Sequence, residues 1–183
     1  MAPSVHLIQP KWLEPFSQAY LPAGDDASRM ALAVALSAEG ARRNLGGPFG
    51  AAVFDDASGE LVTAGCNLVF DSGASLAHAE MVTLSFAQQR EGEPDLSSRA
   101  WTLYSSSEPC AMCTAALPWS GIRRVVCGAR NEDVQRIGFD EGSKPAAWVE
   151  SLISRGIGVT RDVGRADAVA VLERYGAQGG RLY

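Results

Sequence analysis

The sequence predicts an α/β protein of three layers, in which a central mixed sheet of about five strands is covered by helices on both faces. A helical pattern near the start is followed by turn residues typical of a β-hairpin. Helical and strand patterns then alternate towards the C-terminus. With 183 residues the chain is long enough for one domain, spanning 1–183, with a sizeable buried core.

The first part of the chain should form one helix and one hairpin. Apolar residues recur at helical spacing after Asp26, and Asp25 suits the helix N-cap. The segment 55–59 combines Asp, Ser and Gly, which favour a tight turn between two strands. The predicted elements are an irregular arm 1–25, a helix from Asp26 to between Gly40 and Asn44, and strands Gly50–Phe54 and Glu60–Phe70.

The rest of the chain should alternate between helices and strands. Pro118 should end one short helix, because proline lacks the backbone N–H that the next helical turn needs. Residues 176–183 form a glycine-rich tail that ends on an aromatic side chain. The predicted elements are helix Ala77–Arg90, strand Ala100–Ser105, helix Cys110–Leu117, strand Arg124–Gly128, helix Ala146–Arg155, strand Gly158–Thr160 and helix Arg165–Tyr175.

The charge balance bears on the class of ligand. The chain carries a net charge of −5 and has a pI of about 5.0. Proteins that bind a polyanion normally show a basic surface, because phosphate contacts supply most of that binding. The composition therefore favours a small, neutral substrate over a nucleic acid.

No segment predicts a membrane span or export. The sequence has no apolar run near the ~18 residues that a spanning helix needs, and no signal-peptide pattern. Four cysteines are too few for a disulfide scaffold in a chain of this size. We therefore expect a cytoplasmic protein.

Two short motifs carry the candidate chemistry. His78 and Glu80 are separated by one residue, and Pro109 directly precedes Cys110 and Cys113 in a P-C-x-x-C arrangement. Each motif falls at the predicted start of a helix that follows a strand and a loop. Residues at i and i+3 share one helix face, so both sulfurs point the same way. The positive end of the helix dipole favours the thiolate form, which is the form that binds metal.

These motifs predict a catalytic zinc site. His78, Cys110 and Cys113 would hold one zinc ion per chain and leave a fourth position for water or hydroxide, whereas structural zinc sites normally close with four protein ligands. Glu80 lies close enough to move a proton between that water and a substrate. An H-x-E motif followed by P-C-x-x-C is the signature of zinc nucleobase deaminases.

Other interpretations explain these residues less completely. A structural zinc site would need Cys66 or Cys127 as fourth ligand, but neither has ligand spacing to the motifs. A redox C-x-x-C pair would leave His78 and Glu80 unexplained. A cysteine nucleophile would need an imidazole partner other than His78. A catalytically silent zinc module would be expected to lack Glu80.

The sequence around the motifs resembles the bacterial guanine deaminases of the cytidine-deaminase-like fold, together with a related group that also acts on aminotriazines such as ammeline. The resemblance runs from about Asp26 to the C-terminus. It is carried by Gly47–Gly50, Ala64–Asn67, Ala77–Glu80, Ser107–Cys113, Trp119 and Gly138–Gly142.

The resemblance implies hydrolysis of guanine to xanthine and ammonia by a homodimer that binds a small base. In that family the C-terminal segment closes the site, and the acid matching Glu141 is a second proton carrier. The residues that it implies as contacts of the base are Asn67, Phe49, Ala79, Trp119 and Tyr183. From the residues alone, Asn67 could equally cap a turn and Glu141 could be a solvated acid.

Several substrates stay open at this point. The tRNA adenosine deaminases share both zinc motifs, but usually continue after the zinc helix with a glycine- and lysine-containing segment that differs from 129–141 here. The negative net charge also disfavours RNA. Guanosine, another nucleoside or an aminotriazine would fit the same chemistry, and cytosine and pterin deaminases are further alternatives.

Overall fold

The computed structural model describes residues 6–20 and 24–183, and its sheet confirms the predicted fold class. Five strands of the described chain form one mixed sheet in the order β2-β1-β3-β4-β5. β1 pairs antiparallel with β2 and β3, whereas β3–β4 and β4–β5 are parallel. The strands are β1 Gly50–Asp55, β2 Leu61–Cys66, β3 Trp101–Ser107, β4 Arg124–Ala129 and β5 Gly158–Thr160.

Eight helices occur in the same described ranges, and none of them is long and apolar enough to cross a membrane. The second one begins at the N-cap Asp25, whose carboxylate accepts the Ser28 N–H at 2.8 Å, as the sequence indicated. The helices are α1 Leu13–Ala19, α2 Asp26–Arg42, α3 Val69–Ser72, α4 Ala79–Glu91, α5 Ala111–Ser120, α6 Asn131–Arg136, α7 Trp148–Ser154 and α8 Arg165–Ala177.

Helices cover both faces of the sheet and approach it closely at two glycines. α2 and α8 pack together on one face, and α4, which contacts α5, packs on the other. A Cβ added at Gly50 would lie 2.3 Å from the Ala33 carbonyl of α2, and one added at Gly65 would lie 2.4 Å from Thr83 Oγ1 of α4. Only glycine allows the helices to sit this near the strands.

The core lies between the sheet and these helices. Leu36, Phe54, Leu103, Tyr104 and Val125 are fully buried there. Burying one large apolar side chain contributes about 1.5–3 kcal/mol, so this packing fixes the strands on which the site is built.

Three helices were not predicted: α1, α6 and the four-residue α3. α1 lies in the segment expected to be an irregular arm, of which residues 1–5 and 21–23 fall outside the described residues. α6 follows β4 directly and has only six residues. All three helices are too short to show two full turns of apolar periodicity, which is the main sequence signal of a helix.

Two boundaries also differ from expectation. The return strand was predicted to reach Phe70, but β2 ends at Cys66. The Asn67 side chain accepts the Val69 N–H at 3.1 Å and thereby starts α3. Pro118 was predicted to stop its helix, but α5 continues through it to Ser120 and ends at Gly121, where φ is 78°.

One end of the sheet gathers the candidate residues. Because β1 is antiparallel to both neighbours, its start lies beside the ends of β2 and β3. Phe49 precedes β1, Asn67 follows β2, and Cys110 follows β3. Crevices at the carboxyl ends of strands in α/β sheets are where ligands commonly bind.

Candidate active site

Two helix starts meet at this end of the sheet and bring three metal-binding side chains together. His78 is the N-cap of α4, Cys110 is the N-cap of α5, and Cys113 lies one turn further into α5. The Cys110 Sγ and His78 Nδ1 atoms are 3.5 Å apart. All three ligand atoms lie within 4.8 Å of one another, and no second such group occurs in the described part of the chain.

This geometry fits zinc. Tetrahedral zinc, with Zn–S near 2.3 Å and Zn–N near 2.0–2.1 Å, places a sulfur and a nitrogen ligand about 3.6 Å apart. The pKa of Cys110 is lowered to about 4, chiefly by a hydrogen bond from Cys113, with His78 adding to the effect. The pKa of Cys113 is raised by the same bond and by burial. Of the two thiols, Cys110 therefore loses its proton more readily, which suits a metal ligand.

Glu80 lines the same pocket from the first turn of α4. Its side chain is buried. Burial raises its pKa, and the negative charge of Cys110 raises it further. A carboxyl in such a setting holds a proton readily, which is the property that a proton carrier needs.

Glu141 also lines the pocket, on the segment that follows α6. It is 6% exposed, so it is not the solvated acid that its sequence context allowed. Its Oε2 atom has no hydrogen-bond partner in the described residues. Burial raises the pKa of Glu141 to about 8, and the charges of Cys110 and Glu80 act in the same direction. Glu141 is therefore mostly protonated at neutral pH.

Asn67 is fully buried and held in one orientation. Its Oδ1 atom accepts the backbone N–H groups of Gly47, at 3.3 Å, and Val69, at 3.1 Å. Its Nδ2 atom donates to the Tyr183 hydroxyl. A Cβ added at Gly46 would lie 2.0 Å from Oδ1, so this turn closes tightly around the amide. The turn-capping and ligand-facing interpretations of Asn67 are thus compatible, because its two amide atoms face different partners.

Aromatic rings enclose the pocket. Phe49 packs edge-on against Phe139 with ring centroids 5.0 Å apart. The Tyr183 ring from the C-terminal tail contacts Phe139 at 5.3 Å, Phe70 at 5.6 Å and His78 at 5.7 Å. The tail therefore lies over His78, one of the three candidate metal ligands.

The remaining space is small. The pocket that contains His78, Glu80, Cys110 and Glu141 has a volume of about 20 Å³, which is room for about one water molecule. Two larger grooves of about 810 Å³ lie elsewhere, and neither is lined by a metal ligand. Tyr183 of the tail is one of the residues that fill the mouth of this pocket.

Trp119 does not lie with the other predicted residues. It is 83% exposed and lines an outer groove with Asp95 and Arg123. Leu117 and Ser120 share the buried face of α5 with Cys113, whereas Trp119 lies about 120° from it at 3.6 residues per turn. Trp119 therefore lies outside the pocket of its own chain, and its predicted contact with the base stays a prediction.

Other residues of the site were missed or only partly foreseen. Ala79 is fully buried between His78 and Glu80 and does not line the pocket. Phe139 was part of the family resemblance but was not proposed as a site residue. Glu108 was likewise not chosen, although an acid directly before a zinc-ligating motif is a signal that could have drawn attention to it.

Comparison with known proteins gives a consistent result. Residues 24–129 match the family model described as the cytidine and deoxycytidylate deaminase zinc-binding region. A guanine deaminase of Bacillus subtilis is 37% identical over 109 residues, which cover 60% of this chain and 67% of that protein.

Solved structures extend the similarity to nearly the whole chain. A guanine deaminase from Nitrosomonas europaea is 40% identical, with a TM-score of 0.89 over 97% of this chain and 98% of that one. A second solved structure contains a protein with one substituted residue in complex with 8-azaguanine. The sequence of that protein is also 40% identical to this chain, and the TM-score is 0.89 over 97% of this chain and 99% of that one.

Proposed function

Because this chain belongs to the family defined by the cytidine and deoxycytidylate deaminase zinc-binding region, we propose that it is a zinc-dependent hydrolase that deaminates guanine to xanthine and ammonia. The observation that carries the proposal is that His78 and Cys110, two members of a three-residue cluster that could hold zinc, line one pocket together with the buried carboxyls of Glu80 and Glu141. The identity to guanine deaminases supports guanine as the substrate.

The metal would be held by His78, Cys110 and Cys113, with one zinc ion per chain. Three protein ligands leave one position open, and zinc bound there would lower the pKa of a water molecule in that position to near 7. The His78 ring is oriented by its place at the start of α4, and both cysteines by the first turn of α5.

The two carboxyls divide the proton transfers. Carbon C2 of guanine bears the amino group between two ring nitrogens and becomes electrophilic once N3 is protonated. Glu80 accepts a proton from the attacking water and delivers it to N3. Glu141, protonated at neutral pH, donates to the departing amino group. The C2–N bond breaks and ammonia leaves, while the hydroxyl group on C2 loses its proton to become the carbonyl of xanthine. That proton replaces the one that Glu141 donated, so both carboxyls end in their starting states.

The buried amide of Asn67 is suited to hold the base. Its Oδ1 is occupied by two backbone N–H groups, which leaves the Nδ2 hydrogens for an acceptor on the base. Tyr183 now occupies that position. We therefore infer that the tail opens to admit the substrate and closes again over it, with Phe49 and Phe139 packing beside the ring.

The proposal extends to assembly and location. We expect a homodimer, for which the exposed Trp119 is a suitable interface residue because tryptophan is enriched at such surfaces. All four cysteines are free, and a reducing cytoplasm would keep the two ligand thiols available for metal.

Aminotriazines such as ammeline carry the same amino-bearing carbon between ring nitrogens, so we include them as further substrates.

Ammonia release from a substrate panel tests the proposal. The purified zinc protein should be assayed with guanine, guanosine, ammeline, adenine, cytosine and cytidine, with Glu80→Gln as the inactive control. We expect turnover of guanine that a chelator abolishes and added zinc restores. Turnover of guanosine or cytidine in its place would retain the zinc chemistry but overturn the substrate. If the protein binds zinc but releases ammonia from none of these substrates, the proposal that it is a deaminase would be refuted.

A further inference from the structure

The segment that carries Glu141 is attached to the start of α5 at two points. The first is the backbone hydrogen bond from Ala111 N to the Glu141 carbonyl, at 3.0 Å. The second is an ion pair in which Lys144 Nζ donates to Glu108 Oε2 at 3.2 Å. Glu108 stands two residues before Cys110, so both attachments join the Glu141 segment to the metal-ligating motif.

The ion pair is deeply buried and well satisfied. The Lys144 side chain is 6% exposed and that of Glu108 is 2% exposed. Glu108 Oε1 also accepts from Arg161 Nε at 2.6 Å, and Oε2 from the Asn131 backbone N–H at 3.3 Å. On its other side, Lys144 Nζ lies 4.1 Å from the centroid of the Trp148 ring, a cation–π contact. The lysine is therefore fixed by two partners.

A buried ion pair contributes little net stability, because the cost of removing both charges from water offsets their attraction. The Lys144–Glu108 pair instead fixes the position of the chain between Glu141 and Lys144, because the Glu141 carbonyl is itself bonded to Ala111. Gly142 lies between them with φ of 69°, and a Cβ at this residue would be 3.2 Å from that of Ala111. The segment is thus pressed against α5.

The Glu141 carboxyl has no such support of its own. Its Oε2 atom has no hydrogen-bond partner in the described residues. The direction of this side chain therefore depends on where its backbone is held. Before Glu141 the segment is held by the packing of Phe139, and after Glu141 the first side-chain attachment is that of Lys144.

We propose that Lys144 is a positioning residue for the reaction, which acts through Glu108 and Trp148 to hold the Glu141 segment and so keep the Glu141 carboxyl facing the pocket. This inference rests on the proposed function, in which Glu141 carries a proton. Lys144 does not line the pocket, so it has no contact with the reacting atoms.

A double-mutant cycle tests this role. Lys144→Met should lower kcat on guanine about tenfold or more and leave KM within about twofold, because a small displacement of a catalytic group is costly. In a Glu141→Gln background, the same substitution should change kcat by less than about twofold, because no proton-carrying carboxyl is left to position. An equal loss in both backgrounds would overturn the proposal.

Matched variants separate positioning from general damage. Lys144→Arg should recover part of the lost kcat, since arginine can keep both the ion pair and the aromatic contact. Arg136→Met removes an ion pair whose arginine side chain is 57% exposed, and should leave kcat unchanged. No recovery in Lys144→Arg, or a similar loss in Arg136→Met, would count against the role.

Hydrogen exchange decides the inference without reference to turnover. In zinc-loaded Lys144→Met, amides of residues 138–144 should exchange faster than in the wild type, while those of α5 keep their rates. Unchanged exchange over 138–144 would overturn the positioning role even if guanine is the substrate. A wild-type protein that does not act on guanine would refute the proposed function but leave this measurement valid.

Discussion

Asp26 at one end of the sheet and the two proton-carrying acids at the other, Glu80 and Glu141, lie in opposite electrostatic settings. At the end away from the pocket, Asp26 accepts hydrogen bonds from Tyr104, at 2.7 Å, and from Arg124. The Arg124 guanidinium holds the pKa of the Asp26 carboxyl below its usual value. At the pocket end, burial raises the pKa of both Glu80 and Glu141.

This difference separates stability from function. A carboxylate paired as Asp26 is helps the fold at neutral pH, whereas a buried carboxyl without a partner costs free energy of folding. Glu141 Oε2 has no hydrogen-bond partner in the described chain. Buried acids with a raised pKa, lying in a pocket at the end of a sheet, are typical of catalytic sites that transfer protons.

The largest effect should come from Glu80→Gln at the pocket end. We expect turnover to fall about 10³-fold, because an amide cannot accept and return a proton. The melting temperature should hold or rise, since a neutral group replaces a buried acid. Ammonia release and thermal melts measure both quantities. If turnover survives, the acids of the pocket end do not have the function assigned to them.

Glu141→Gln should have the next largest effect, about 10²-fold on kcat/KM. The pKa of Glu141 is raised to about 8, so the carboxyl keeps its proton at neutral pH and loses it as the pH rises through about 8. We expect wild-type kcat/KM to decline above that pH, and this decline to be absent from the variant. Parallel profiles of the two proteins would assign the ionisation to another group.

Tyr183→Phe should have a smaller effect, and it should lower KM instead of reducing activity. The change removes the hydroxyl bonded to Asn67 and keeps the ring contacts with Phe139. One neutral hydrogen bond contributes about 1 kcal/mol, so KM should fall about fivefold once Asn67 no longer has a competing partner. Steady-state kinetics would separate KM from kcat. A higher KM would show that the hydroxyl binds the base rather than competing with it.

Asp26→Asn, at the other end, should leave kcat unchanged. Loss of the pairing with Arg124 should lower the free energy of unfolding by about 1 kcal/mol, or about 2–4 °C in melting temperature. Because the folded pKa of Asp26 lies below the unfolded value, its contribution is complete at neutral pH and is lost as the pH falls below about 4. Chemical denaturation at pH 7 and pH 3 tests this. A lower kcat with zinc retained would mean that the two ends are coupled.

Sequence reasoning was most successful where structure depends on local patterns. The helix from Asp26 and the hairpin around 55–59 follow from periodicity and turn chemistry, and both occur close to their predicted positions. The end of β2 could not be predicted, because it depends on a hydrogen bond from Val69 to the Asn67 side chain. A helix of seven residues such as α1 leaves too little pattern to recognise.

The same distinction applies to the site. His78, Cys110 and Cys113 are recognisable because each motif is short and each starts a helix, and the structure brings them together. The position of Trp119 depends on how α5 continues past Pro118, which the sequence does not specify. The contact between Lys144 and Glu108 joins residues that are 36 positions apart and follows no local pattern.

The burial of Lys144 has a practical consequence for chemical labelling. The chain contains only two lysines, Lys11 and Lys144. Lys11 is exposed, whereas the Lys144 amine is enclosed by Glu108 and Trp148. Of the two lysines, amine-acylating reagents should therefore mark Lys11 in the folded protein, which makes it a defined attachment point for a dye or a surface. Any acylation of Lys144 would record the fraction of molecules in which the loop beside the pocket has opened.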